Sequence, residues 1–191
     1  MAGGEVIWGV VLAGGDSRRM GRDKALIPFK GIPMAAHIVA TLAHAVGHVV
    51  VVTSPDRSYS FQGIDVIHDI FPGQGPLAGI HAAFETLRAD SLFVLACDTP
   101  FVRVELIRHI IDQSRDASVT VAEMGGRVHP LCGLYRSPVL PAITRRLNEG
   151  KLKVKDLLEE VGAKRVLIGP DLSFYRENLL ANVNTKNDFE I

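Results

Sequence analysis

Residues Val10 to Leu26 read V-V-L-A-G-G-D-S-R-R-M-G-R-D-K-A-L, an apolar run that breaks into two glycines followed by a cluster of cations. Val10, Val11 and Leu12 have the character of a buried strand, within a longer apolar stretch from Val6 to Ala13. Gly14 and Gly15 then remove every side chain that would hold a phosphate away from the backbone amides. Arg18, Arg19 and Lys24 follow with positive charge suited to a polyphosphate. Two familiar phosphate motifs do not fit. The P-loop places a lysine directly after its last glycine, whereas Arg22 and Asp23 separate Gly21 from Lys24, and no G-x-G-x-x-G follows the strand. The bland alternative is a tight turn leading into an exposed basic segment. Three cations close behind the glycines weigh against it.

Working outward, Pro33 to Val46 carries Ile38, Leu42 and Ala45 at helical spacing, with Gly47 as a stop. His48 to Thr53 is a continuous Val-rich run, Asp65 to His68 a short one, and Ser91 to Cys97 another that ends at Asp98. Unbroken apolar runs predict strands buried on both faces. Helices are predicted at Pro76 to Leu87, with proline in the first turn, and at Val104 to Gln113. Later strands are expected at Ser118 to Glu123, Leu131 to Tyr135 and Arg165 to Ile168, and later helices at Pro138 to Leu147 and Val154 to Val161. Strands alternating with helices predict an α/β fold of three layers around a mostly parallel sheet. Ligands of such sheets collect beyond the carboxyl ends of the strands. Gly14, Thr53, Asp69 and Asp98 each follow a predicted strand, so all four fall on that edge.

Phe93 to Pro100 reads F-V-L-A-C-D-T-P. Asp98 leaves a hydrophobic strand just before a proline-marked turn, and two roles suit it. Asp98 or Thr99 could cap the next helix. Beside a phosphate loop, Asp98 is instead a magnesium ligand, because Mg2+ takes one or two carboxylates and fills its remaining positions with phosphate oxygens and water. Asp69, in V-I-H-D, is either a strand-end residue bonded to local amides or an acceptor for a ligand's hydroxyl or amino group. In P-G-Q-G-P-L-A-G-I, from Pro72, Gly73, Gly75 and Gly79 permit close backbone approach, and the helix start at Pro76 could direct amides at a ligand.

At 191 residues the chain suits a single domain. Lysine plus arginine total 21 and aspartate plus glutamate total 21, which leaves no global field to favour nucleic acid or an anionic membrane. No apolar run approaches the roughly 20 residues of a membrane span, and Met1 to Glu5 does not open a secretory signal. A cytoplasmic protein is expected. Cys97 and Cys132 lie far apart and read as reduced core thiols. The seven histidines show no zinc-binding spacing.

The opening stretch resembles the L-A-G-G-x-S-x-R-M-G-x-D-K signature of the molybdenum cofactor guanylyltransferase family, with every fixed position present. C-D-T-P at Asp98, P-L-A-G at Pro76 to Gly79, R-V-H-P-L at Arg127 to Leu131 and N-V-N-T at Asn182 to Thr185 resemble later segments of the same family. The resemblance implies a Rossmann-like nucleotidyltransferase domain over residues 1–191. It implies Leu12, Ala13, Gly14 and Gly15 against the nucleotide, Arg19 and Lys24 on its phosphates, Asp69 on the nucleotide and Asp98 on Mg2+. Asn182, Asn184 and His129 fall on the acceptor side. The implied reaction moves GMP from GTP to the terminal phosphate of molybdopterin or molybdenum-molybdopterin, for delivery to molybdoenzymes or their chaperones. A cytidylyltransferase acting on the same cofactor and a non-catalytic GTP- or pterin-binding module are the alternatives. The chain departs from the family at Thr53, where asparagine is common.

Overall fold

The computed structural model describes residues 6–14, 24–57 and 63–183. Its elements run β1 (Ile7–Leu12), β2 (Pro28–Phe29), β3 (Ile32–Pro33), α1 (Met34–Val46), β4 (His48–Thr53) and β5 (Asp65–His68). Next come α2 (Pro76–Leu87), β6 (Ser91–Ala96), α3 (Val104–Gln113), β7 (Val119–Met124) and β8 (Arg127–Arg136). The chain then forms α4 (Leu140–Asn148), α5 (Val154–Glu160) and β9 (Lys164–Ile168).

The main sheet has seven strands in the order β5-β4-β1-β6-β8-β7-β9. Strands β5, β4, β1 and β6 are parallel, β8 is antiparallel to both neighbours, and β9 runs parallel to β7. Alternation of side chains along each strand supplies two cores. Val11, Phe93 and Leu95 face one layer with α1 and α3, while Val10, Leu92 and Val94 face the other with α2, α4 and α5. These six side chains are fully buried, which explains why β1 and β6 read as unbroken apolar runs. Truncating one of them, as in Leu95→Ala, removes about 2–5 kcal/mol of stability.

The sequence predicts the bounds of β4, β5, α2 and α3 to the residue. Strand β8 begins earlier than expected, at Arg127, and a 3-10 turn at Ser137–Val139 precedes α4. The β2–β3 hairpin was not anticipated. Its turn residues Lys30 and Gly31 both hold positive φ, 50° and 86°, as a two-residue hairpin turn requires.

From β1 the chain steps outward to β4 and β5, and α2 then carries it back across β1 to β6. Connections therefore reverse direction between β1 and β6, where an open α/β sheet leaves a crevice for ligands.

Candidate active site

Beyond the ends of these parallel strands lies a cleft of about 1450 Å³. A pocket for one small molecule is roughly 300–1,000 Å³, so this cleft has room for a nucleotide and a second substrate.

One wall begins at β1. The amide of Ala13 still donates to Val52 of β4 at 2.8 Å, and the amide of Cys97 to Leu12 at 3.1 Å, so sheet pairing holds the chain up to Gly14. Helix α2 presses on this point. A Cβ on Gly79 would lie 2.7 Å from Leu12 Cδ2, so a larger residue there would push the Leu12 side chain aside. Gly75, in a left-handed conformation (φ 70°), precedes Pro76 at the first turn and brings the start of α2 to the cleft.

Asp69 lies between these parts. Its amide donates to the Thr53 carbonyl at 2.9 Å, yet Oδ1 is buried with no hydrogen-bond partner. A turn aspartate would spend that oxygen on a local amide; here it is left unbonded in a residue that lines the cleft. Burial pushes the carboxyl up to about 6, with His68 drawing it slightly back. Thr53 itself is fully buried and its hydroxyl is unbonded. The cleft-lining residue here is Ser54, whose Oγ is 3.6 Å from the position of a Cβ on Gly14.

Asp98 follows β6 in a tight turn closed by the Thr99 hydroxyl, which donates to the Ala96 carbonyl at 2.9 Å. Helix α3 starts only at Val104, with Arg103 at its N-cap and no side-chain cap, so capping does not account for Asp98. Lys24 Nζ stands 3.7 Å from Asp98 Oδ2, and Asn182 Nδ2 donates to the same oxygen at 3.4 Å. Oδ1 is buried and unpaired. Burial raises the Asp98 carboxyl above its ordinary range, opposed by Lys24 and Asn182. Lys24 opens a 3-10 turn whose next residue, Ala25, is fully buried. Asn182 is held through Val183, which is fully buried among Ile27, Phe29 and Met34.

The facing wall is basic. It carries Arg127, His129, Lys153 and Lys155. Burial, then Arg127 and Lys155, push the His129 imidazole below its usual range, so the ring is neutral near pH 7. Arg146 is buried and donates to the Lys153 carbonyl at 3.5 Å. Its guanidinium donates to Glu160 at 2.8 Å and lies 3.6 Å from Asp156. This tie fastens α4 to α5.

Leu12, Ala13, Gly14, Lys24, Asp69, Asp98, His129 and Asn182 thus meet in one cleft. Asn182 stands beside Asp98, at the junction of the two walls. Gly15, Arg18, Arg19 and Asn184 lie outside the described residues. Sequence reasoning missed Ser54, Lys153 and Lys155; the alternating K-L-K-V-K of Lys151 to Lys155 was their available signal. Among the described residues no group of three or more His, Cys, Asp or Glu side chains could enclose a metal. No helix among them is long and apolar enough to cross a membrane. Cys97 and Cys132 are buried free thiols.

A crevice at a sheet's switch point that holds a lysine–carboxylate pair and further cations fits a nucleotidyltransferase. Residues 9–166 match the MobA-like NTP transferase domain, and the chain belongs to that family. It is similar to a Carboxydothermus hydrogenoformans protein named "Probable molybdenum cofactor guanylyltransferase", 36% identical over 94% of this chain and 91% of the relative. A solved Aquifex aeolicus protein is 29% identical with a TM-score of 0.77, covering 94% of each chain. The fold is shared with molybdopterin-guanine dinucleotide biosynthesis protein A of Archaeoglobus fulgidus (23% identity, TM-score 0.80, 96% of this chain and 95% of that one).

Proposed function

We propose that residues 1–191 act as one cytoplasmic domain that transfers GMP from GTP to the terminal phosphate of molybdopterin or its molybdenum-bound form. The products are molybdopterin guanine dinucleotide and pyrophosphate. The carrying observation is the Lys24–Asp98 pair at the switch point, facing a wall of cations.

The nucleotide lies along Leu12 to Gly14, with its base toward Asp69, whose unpaired oxygen accepts from guanine N–H donors. A terminal phosphate oxygen of the acceptor attacks the α-phosphorus in line. The bond from α-phosphorus to the bridging oxygen breaks, and its electron pair leaves on pyrophosphate. Lys24 neutralises charge gathering on the departing phosphates. The attacking oxygen is already an anion, so no general base is required and His129 serves as a neutral acceptor-side group. Arg127, Lys153 and Lys155 attract the acceptor phosphate to the opposite wall.

The residues fit a magnesium ion, because the buried, unpaired Asp98 Oδ1 is a hard oxygen donor beside the path of the phosphates. When bound there with phosphate oxygens and water, Mg2+ supplies charge neutralisation for the transfer.

The test is pyrophosphate release from GTP, CTP, ATP and UTP with Mg2+ and molybdopterin. Release with GTP above the others is expected. Greater turnover with CTP would make the protein a cytidylyltransferase, and tight GTP binding without release would make it a carrier.

A further inference from the structure

Tyr135 is fully buried, and its hydroxyl donates to the carbonyl oxygen of Pro130 at 2.6 Å. Both residues lie on β8, so this bond does not pair two strands. It spans the place where β8 leaves β7. Val121 pairs with Gly133, and the next residue of β7, Ala122, pairs with His129. Pro130, Leu131 and Cys132 therefore arch away without partners on β7. On the other side β8 follows β6 as far as the Leu95–Cys132 pair, just short of the turn that carries Asp98.

The residues explain the arch. Pro130 has no amide to offer a neighbouring strand. At Gly133 the strands are pressed together: a Cβ there would fall 2.3 Å from the Thr120 carbonyl oxygen and 2.8 Å from Val121 Cγ1. That contact fixes one foot of the arch, and the Tyr135 hydroxyl fixes the Pro130 end. The tyrosine ring is itself anchored in the core with Leu92, Val94, Val139 and Ile143. Burial keeps the phenol protonated by pushing it above its ordinary range, so it donates at every working pH. Val128 to Cys132 line the cleft on the side of Lys153 and Lys155.

We propose that Tyr135 is a positioning residue that sets the acceptor wall of the cleft by pinning the β8 arch through Pro130. This rests on the reading of that wall as the acceptor side. Tyr135 touches no substrate, and its influence reaches the acceptor only through His129 to Leu131.

Tyr135→Phe keeps the ring and removes only the hydroxyl. The KM for molybdopterin is expected to rise about three- to tenfold, the range one buried hydrogen bond supports. Both kcat at saturating acceptor and the GTP dissociation constant should stay within about twofold, and amide hydrogen exchange should quicken in residues 128–133. Ile143→Val, in the same core but away from the arch, should lower Tm and leave the acceptor KM alone. An unchanged acceptor KM in Tyr135→Phe, or an equal rise in the GTP constant, overturns the proposal. Unchanged exchange in residues 128–133 overturns it whatever the acceptor. Wild-type protein that performs no transfer to molybdopterin defeats the functional reading instead, and the exchange result still decides whether Tyr135 pins the arch.

Discussion

The backbone amide of Val183 donates to the carbonyl oxygen of Asp98 at 2.7 Å, tying the carboxyl-terminal segment to the turn that bears the central carboxylate. The Val183 side chain is buried with Ile27, Phe29 and Met34, so one small core connects three parts of the site. The Lys24 turn, the Asp98 turn and Asn182 are held in register by apolar packing beneath them.

Val183→Ala should therefore lose about 2 kcal/mol of stability, since it removes two buried methyl groups and leaves a cavity. Urea denaturation checks the stability. Transfer should slow at least severalfold in protein that remains folded, and an undiminished kcat would show that the packing does not align the site.

Lys24→Ala should reduce transfer by roughly ten- to a hundredfold at saturating GTP and Mg2+, from loss of about 1.5–3 kcal/mol of charge-assisted contact. Single-turnover kinetics measure this step. A rate equal to wild type would remove Lys24 from the phosphates.

Asp98→Asn should abolish transfer without lowering the Tm of the ligand-free protein. The carboxylate is held at a cost of desolvation that Lys24 only partly offsets, and an amide carries no such cost. Thermal unfolding beside a pyrophosphate assay separates the two effects.

Asp69 makes stability and binding depend on pH in opposite senses. Its folded value of about 6 lies above the ordinary 3.8, so the folded state holds the proton more tightly than the unfolded state. Stability should fall as pH rises from about 4 to 6. Because the group is partly solvated, the change is about 1 kcal/mol after screening. Guanosine, which carries no phosphate to titrate, should bind about tenfold more weakly at pH 5 than at pH 7, since protonation removes the anionic acceptor. Titration calorimetry should show that Asp69→Asn flattens this profile.

The sheet was legible because its central strands are apolar on both faces and end at Gly14, Thr53, Asp69 and Asp98, which mark one edge. The β2–β3 hairpin escaped notice because two-residue strands carry no periodicity. Arg127 to Pro130 read poorly as strand because polar residues and a proline sit among them, and the arch at Pro130 to Cys132 depends on Gly133 meeting Thr120. Lys153 and Lys155 carried only the alternating K-L-K-V-K spacing as a signal. Arg146 ties α4 to α5 through Glu160 and Asp156, and that packing is not written in the lysine spacing. Alternation along β4 sends the Thr53 side chain into the interior and leaves Ser54 at the opening.

If Asp98 takes Mg2+ and Lys24 the nucleotide's phosphates, as proposed, the 3.7 Å approach of Lys24 to Asp98 makes filling the cleft an exchange of counter-ions. A nucleotide that draws Lys24 onto its phosphates strips Asp98 of its cation, and a divalent ion that claims Asp98 releases Lys24. Each arrival thus prepares the site for the other, so GTP and Mg2+ should each raise the other's affinity by the same factor. Neither ligand alone should then occupy the cleft as firmly as the two together.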